Sequence, residues 1–439
     1  MPLEERPQSR FALGPVMASV ASLLLGIGIL LIGNGLLHTI VAVRANLEGF
    51  ANTATGIVMS AYFTGFVLGS FVCPRLIQRF GHVRTFSALA AMTAATAIAY
   101  VLLLSAWSWV LLRLVGGLTT VGVFVVIESW LNAQATNETR GRIFGAYMMV
   151  SFIALAAGQF LLLVGQTDTF VPFGLATALL ALAVVPIALT PVPEPQPVEA
   201  PQLGFRRLYA MSPLGFVGAF GSGVANGAFW SLGPVFAQAA GLTEAGIASF
   251  MSAAILGGAL LQLPIGHLSD RHDRRTVLMQ VCFAAMLASL AAFALAERYD
   301  SLAGLTACMF VYGGLAFCIY SLSVAHTNDH LTPAEVLGAT QGLLLLYGIG
   351  AAGGPVAAGL LMDAVGRGSL FGLFAGVWGL LGAFALYRMR ARAPVPLAAQ
   401  EPFVIMEQTS PVALEMHPQV EPAAPEPPAT PPRESETAR

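Results

Sequence analysis

Twelve apolar runs, each long enough to cross a bilayer, limit what this chain can fold into more than any other feature. About 20 mostly apolar residues in a helix span a hydrocarbon core. Runs of that length lie near residues 15–43, 53–77, 85–104, 109–131, 143–165, 170–190, 213–240, 246–268, 276–296, 302–325, 338–361 and 370–387. Charged residues make up only 10% of the chain, against about 25% in soluble domains. So few charges cannot supply a polar surface, and lipid must be the main solvent. The pattern predicts an all-α membrane protein of twelve transmembrane helices.

All 21 basic residues are arginine. Without lysine there is no Walker A lysine and no Schiff base. The positive-inside rule sets the orientation. With the N-terminus inside, fifteen arginines fall in cytoplasmic segments, whereas the opposite loops hold only Arg44, Arg298 and Arg367. Both termini are therefore expected in the cytoplasm, which needs an even number of spans, and the first run reads as an uncleaved signal-anchor in the cell inner membrane. The four cysteines lie in or beside apolar runs without a CxxC pair, which argues against a disulfide framework or a zinc site.

The chain repeats itself. A shift of 192 residues lays Asn34-Gly35 on Asn226-Gly227, Met59-Ser60-Ala61 on Met251-Ser252-Ala253, Gly65 on Gly257 and Arg79 on Arg271. Further along, a shift of 197 lays Gly116-Gly117 on Gly313-Gly314 and Gly141-x3-Gly145 on Gly338-x3-Gly342. The expected organisation is an N-terminal six-helix half (1–190), a Pro-rich cytoplasmic linker (191–212), a C-terminal six-helix half (213–392) and a disordered, acidic, Pro-rich tail (393–439). Parallel halves imply a pseudo-two-fold axis along the membrane normal, with a solute site near midplane between them.

Polar residues in lipid mark protein-facing or cavity-facing surfaces. They are absent or marginal in spans 3, 6, 9 and 12, which are expected to face lipid. Asn34 and His38 share a face of span 1, and Asn226 and Trp230 hold the equivalent places on span 7. Two charges enter the runs, Arg113 and Glu128 on span 4, about 22 Å apart along the axis and unable to pair. Arg113 can snorkel, tie to helix-end carbonyls or face the cavity; Glu128 lies within reach of loop arginines. The candidate solute residues are Asn34, His38, Arg113, Asn226 and Trp230.

The segment GHLSDRHDRR at 266–275 resembles the cytoplasmic-loop signature of the major facilitator superfamily. Its N-half counterpart, PRLIQRFGHVR at 74–84, keeps Arg79 and Gly81 but has Pro74 and Gln78 where the pattern has Gly and Asp. VVIESW at 125–130 and RGRIFGAYMMV at 140–150 are similar to the YcaD-like branch of that superfamily. The resemblance covers roughly residues 15–390. It implies the major facilitator fold and a cytoplasmic latch formed by Arg79, Gly81, Glu128, Arg140, Gly266, Asp270, Arg271, Arg274 and Arg275. The Gly-Pro antiporter motif expected on helix five is missing; GGP at 353–355 lies on span 11 instead.

No HExxH, GxSxG or paired intramembrane carboxylates occur, so an enzyme is not expected. The expectation is a secondary active transporter that moves a small solute by alternating access, proton-coupled, monomeric in lipid, without cofactor, metal or nucleic acid. The alternative is a receptor or scaffold on a transporter fold that signals through its tail.

Overall fold

The computed structural model describes residues 13–135, 139–189, 204–298 and 302–406. Arg6, Arg10, most of the linker and the tail beyond 406 lie outside the described residues. All regular structure in the described part is helical: α1 (Leu13–Leu47), α2 (Asn52–Phe80), α3 (His82–Leu102), α4 (Ala106–Gln134), α5 (Arg140–Phe160), α6 (Val171–Leu182), α7 (Val184–Ala188), α8 (Phe205–Met211), α9 (Pro213–Ala239), α10 (Glu244–Arg271), α11 (Arg274–Arg298), α12 (Leu302–Asn328), α13 (Pro333–Val365) and α14 (Ser369–Ala391). Eleven stretches are long and apolar enough to cross a membrane, with α6 and α7 forming one of them. The twelfth is α9, entered from α8 through a bend of 117°. Ser212 makes that corner, its Oγ accepting from Gly215 N at 3.3 Å to cap α9.

The expected linker therefore ends sooner than its composition suggested, because residues 205–211 are helix α8. Leu208 is fully buried there, beside Tyr320 and Leu343, and Arg207 pairs with Glu335 at 2.5 Å. The tail expectation also needs correction for residues 393–406, which are placed, with Met406 buried at 4% exposure. An apolar pentad, PFVIM at 402–406, supplies the buried surface that the acidic remainder lacks.

Successive spans reverse direction. One end of the bundle, here the terminal end, carries the turns at 81 and 272–273 and the start of the segment 393–406; the far end carries those at 48–51, 165–170 and 366–368. Glycines set the close approaches within each half. A Cβ on Gly65 would lie 1.9 Å from Leu114 O, and one on Gly257 would lie 1.9 Å from Phe310 O. Reciprocally, Gly117 abuts Tyr62 O and Gly313 abuts Ala254 O. These pairings put a shift of 196, not 197, between the later spans of the two halves, since Leu114 and Gly117 correspond to Phe310 and Gly313. The sequence misled here because each half carries two consecutive glycines: a shift of 197 superposes both, whereas the observed shift lays only Gly117 on Gly313 and Gly116 on Tyr312.

Candidate functional site

The two halves are tied to each other at the far end. Asn46 Nδ2 at the end of α1 donates to Gln238 Oε1 at the end of α9, 2.8 Å away. Asp363 near the end of α13 receives four bonds from the start of α2: Asn52 N at 3.1 Å and Nδ2 at 2.8 Å, Thr53 N at 2.8 Å and Oγ1 at 2.6 Å. A carboxylate at a helix N-terminus is also favoured by the helix dipole. One step deeper, Ser60 Oγ on α2 donates to Ala352 O on α13, and Ser252 Oγ on α10 donates to Ala156 O on α5 at 2.9 Å. Gly354 lets α13 approach Val224 O of α9, and Gly56 lets α2 approach Pro355 O.

On the terminal side of these ties lies a cavity of about 200 Å³ between the halves. Its position follows helix by helix. Residues 34–38 precede Asn46 on α1, 62–66 follow Ser60 on α2, 226–230 precede Gln238 on α9, and 344–348 precede Ala352 on α13. Among the described residues, the wall takes nothing from α3, α6, α7, α11 or α14. Those helices make up the spans that the sequence assigned to lipid.

Asn34, His38, Asn226 and Trp230 all line the cavity. Arg113 does not; it stands one layer behind. It is 1% exposed, its Nη2 donating to Met59 Sδ at 2.9 Å and to His38 O at 3.4 Å. Its guanidinium lies over the Tyr62 ring at 5.5 Å, and that ring meets His38 edge-on at 4.3 Å. Arg113 therefore does not snorkel. Among the described residues no carboxylate lies within ion-pair distance of it, and its Nε has no partner.

The remaining wall was not singled out from sequence. Trp230 stacks on Phe317 with centroids 5.9 Å apart and planes 10° apart. Tyr62, Phe63 and Phe66 of α2 and Phe152 of α5 face it across the gap. Among the described residues, three residues of this wall carry a buried side-chain oxygen without a hydrogen-bond partner: Asn226 Oδ1, Gln262 Oε1 and Ser151 Oγ. Buried polar atoms are mostly satisfied in folded proteins, so these three oxygens are acceptors still open to a donor. The spacing of Tyr62, Phe63 and Phe66, all aromatic on one side of a helix, was the legible sign. By contrast, Gln159, another intramembrane polar residue, is structural: its Oε1 accepts from Thr39 Oγ1 at 2.6 Å and its Nε2 donates to Gly35 O at 3.3 Å, tying α5 to α1.

The latch candidates separate into three settings. Arg274 is 1% exposed and pairs with Asp270 at 3.1 Å and with Asp329 at 2.7 Å. Arg275 pairs with Asp273 at 2.9 Å and donates to Arg392 O at 2.7 Å. Gly266 lies on the same helix as Asp270, and Arg271 is exposed. In the N-terminal half Arg79 is exposed over Phe80, and Gly81 takes the turn between α2 and α3 with φ of 80°. Glu128 is fully buried and accepts from Tyr147 Oη at 2.5 Å, while Arg140 begins α5. Burial of Asp329 lifts its carboxyl to about 6 despite the opposing charge of Arg274.

Comparison with known proteins agrees with this architecture. The profile of the Major Facilitator Superfamily matches residues 23–343 and 215–425. An uncharacterized MFS-type transporter of Enterobacter sp. (strain 638) is 29% identical over 381 residues, covering 86% of this chain and 98% of its own length. The uncharacterized MFS-type transporter YcaD of Escherichia coli is 28% identical over 386 residues, covering 88% of this chain and 98% of its own. Among solved structures, the nucleoside transporter NupG superposes with a TM-score of 0.68 at 17% identity over 86% of this chain and all of its own. A bacterial homologue of the human lysosomal transporter Spinster, inward-facing and unoccupied, gives 0.64 at 16% identity over 89% of this chain and 98% of its own. A profile matched across both halves, over twelve spans folded around one shared cavity, places this chain in the Major Facilitator Superfamily.

Proposed function

We propose that the chain is a secondary carrier working by alternating access, with its terminal end in the cytoplasm, and that its solute is neutral, planar and rich in hydrogen-bond donors. The observation that carries this reading is the cavity wall: unpartnered oxygens of Asn226, Gln262 and Ser151 set beside the Trp230–Phe317 stack. Amide oxygens ask for donors, and stacked rings ask for a flat partner. Among the described residues, no Asp, Glu or Arg lines the cavity. Arg113 is separated from it by the Tyr62 ring and the His38 main chain, so a charged solute has no direct counter-ion. Contact with both halves at once lets binding energy bias one conformation over another. His38 is the imidazole on the wall, and we infer that proton coupling runs through it.

Nucleosides, which the name of NupG gives as its solute, belong to this chemical class and open the panel of probes. The experiment is a thermal-shift screen of the purified protein against neutral nucleosides, aromatic amides and, as controls, aromatic carboxylates and amines. The reading expects stabilisation by neutral planar donors, weakened at least tenfold in apparent affinity by Asn226→Ala or Gln262→Ala. Stabilisation by the carboxylates alone would overturn it.

A further inference from the structure

Residues 393–406 leave α14 and run back across the terminal end of the C-terminal half to the cavity. The main chain of this segment takes part in four hydrogen bonds. Glu401 N donates to Asp329 Oδ1 at 3.0 Å, and Phe403 N donates to Asp270 Oδ1 at 2.8 Å. Arg274 Nη2 donates to Glu401 O at 2.6 Å, and Met406 N donates to Ser321 Oγ at 3.0 Å. The Phe403 ring lies on Gly266, where a Cβ would come 2.1 Å from its Cδ1. Met406 reaches the cavity wall itself, clustered with Tyr347, Leu344 and, from the other half, Phe63.

One heptapeptide thus engages the acidic and basic residues of the α10–α11 turn and the mouth of the cavity together. We propose that residues 400–406 are an autoinhibitory strap, which keeps the terminal end of the carrier open by occupying that turn and that mouth. The inference rests on the alternating-access reading. Closing the terminal end requires the two halves to meet across the space that Met406 fills. Asp270 and Arg274, which pair with each other, are both engaged by strap main chain as well. Release of the strap frees all of these groups at once. These four bonds use main-chain atoms, and the apolar side chains that seat the strap are Phe403 on Gly266 and Met406 at the cavity wall. Replacing those anchors releases the strap without altering any charge of the carrier.

The test uses the full chain in nanodiscs and needs no solute. Spin labels at Val83 and Tyr387, which are 58% and 62% exposed at the terminal end of opposite halves, report its opening on a cysteine-free background. Hydrogen exchange of residues 401–406 reports the strap. In the Phe403→Ser/Met406→Ser variant, exchange at the Phe403 and Met406 amides should rise at least tenfold and a shorter label distance should appear. Gly266→Leu, which removes the seat of the Phe403 ring from the carrier's side, should do the same. Exchange that is already as fast in the parent as in the variants overturns the strap. Released amides with an unchanged distance overturn its gating role. Asp363→Ala, which loosens the far end without touching the strap, separates the two readings. If it shortens the distance and the strap variants do not, only the strap inference falls; if it too leaves the distance unchanged, the alternating-access reading falls as well.

Discussion

Asn46 and Gln238 stand 192 residues apart, one repeat length, and bond directly to each other at 2.8 Å. Two equivalent positions of a two-fold repeat can touch only near the symmetry axis, so this pair places the axis at the far end of α1 and α9. Its strength is testable by a double-mutant cycle. Asn46→Ala and Gln238→Ala should each cost little, with a coupling of about 0.6 kcal/mol, the average for interhelical bonds in membranes. Additive effects on thermal stability would mean that the pair carries no load.

The glycine contacts predict matched damage in the two halves. Gly65→Ala and Gly257→Ala each drive a methyl against a main-chain oxygen 1.9 Å away, and backbone yields less readily than a side chain. Each should lower thermal stability by roughly 3 kcal/mol, at or above the upper end for overpacked sites. Gly145→Ala is the control: nothing lies within 4 Å of its added Cβ, so a gain of up to about 1 kcal/mol from helix propensity is expected. Equal behaviour of all three in a melting assay would contradict the packing described.

Arg113 is buried without a carboxylate beside it, and its contacts are a thioether, a distant carbonyl and a ring face. A cation–π contact gives about 2 kcal/mol when desolvated, whereas burying an ion costs several. Desolvation wins. Arg113→Met should therefore leave the melting temperature unchanged or raise it, while Arg113→Ala lowers it by opening a void. A loss with Met as large as with Ala would show that the guanidinium itself holds the fold.

Asp329 gives a pH dependence with a definite sign. Burial raises its carboxyl from the ordinary 3.8 to about 6, outweighing Arg274, with Glu401 nearby adding to the rise. Asp270 shares Arg274 on the same face. A group held above its unfolded value contributes stability that is full below about 3.8 and is lost as pH rises through about 6. Between pH 5 and 7 the parent should thus lose stability relative to Asp329→Asn, by no more than about 3 kcal/mol. Melting curves at half-unit steps check it; parallel pH profiles for the two proteins would contradict it.

The spans were legible in the sequence because length and apolarity suffice to identify a helix in lipid, and spans 3, 6, 9 and 12 could be set aside by their lack of amides. Asn34, His38, Asn226 and Trp230 could be grouped because a helical face needs only spacing, and the repeat supplies their common height. Three features were not legible, each for a physical reason. The paired glycines of the later spans match best in the wrong register, and the contacts of Leu114 and Phe310 correct it. The direction in which Arg113 turns depends on Tyr62 and His38, which lie on other helices. The strap has five apolar residues, 402–406, within an acidic, Pro-rich stretch, and its partners lie 72 to 133 residues earlier in the chain. No local pattern could reveal it.

Alternating access is the central claim, and Asp363 is its most direct handle, because one carboxylate holds four of the bonds that close the far end. The decisive measurement is a pair of spin-label distances in full-length protein, Val83 to Tyr387 at the terminal end and Trp107 to Leu302 at the far end, all four positions being exposed. Asp363→Ala removes up to four hydrogen bonds of about 1 kcal/mol each, enough to populate the opposite state. The account predicts that the far-end distance lengthens and the terminal-end distance shortens together, in equal populations. Lengthening at the far end with no change at the terminal end would mean that the halves fray rather than rock, and would contradict it.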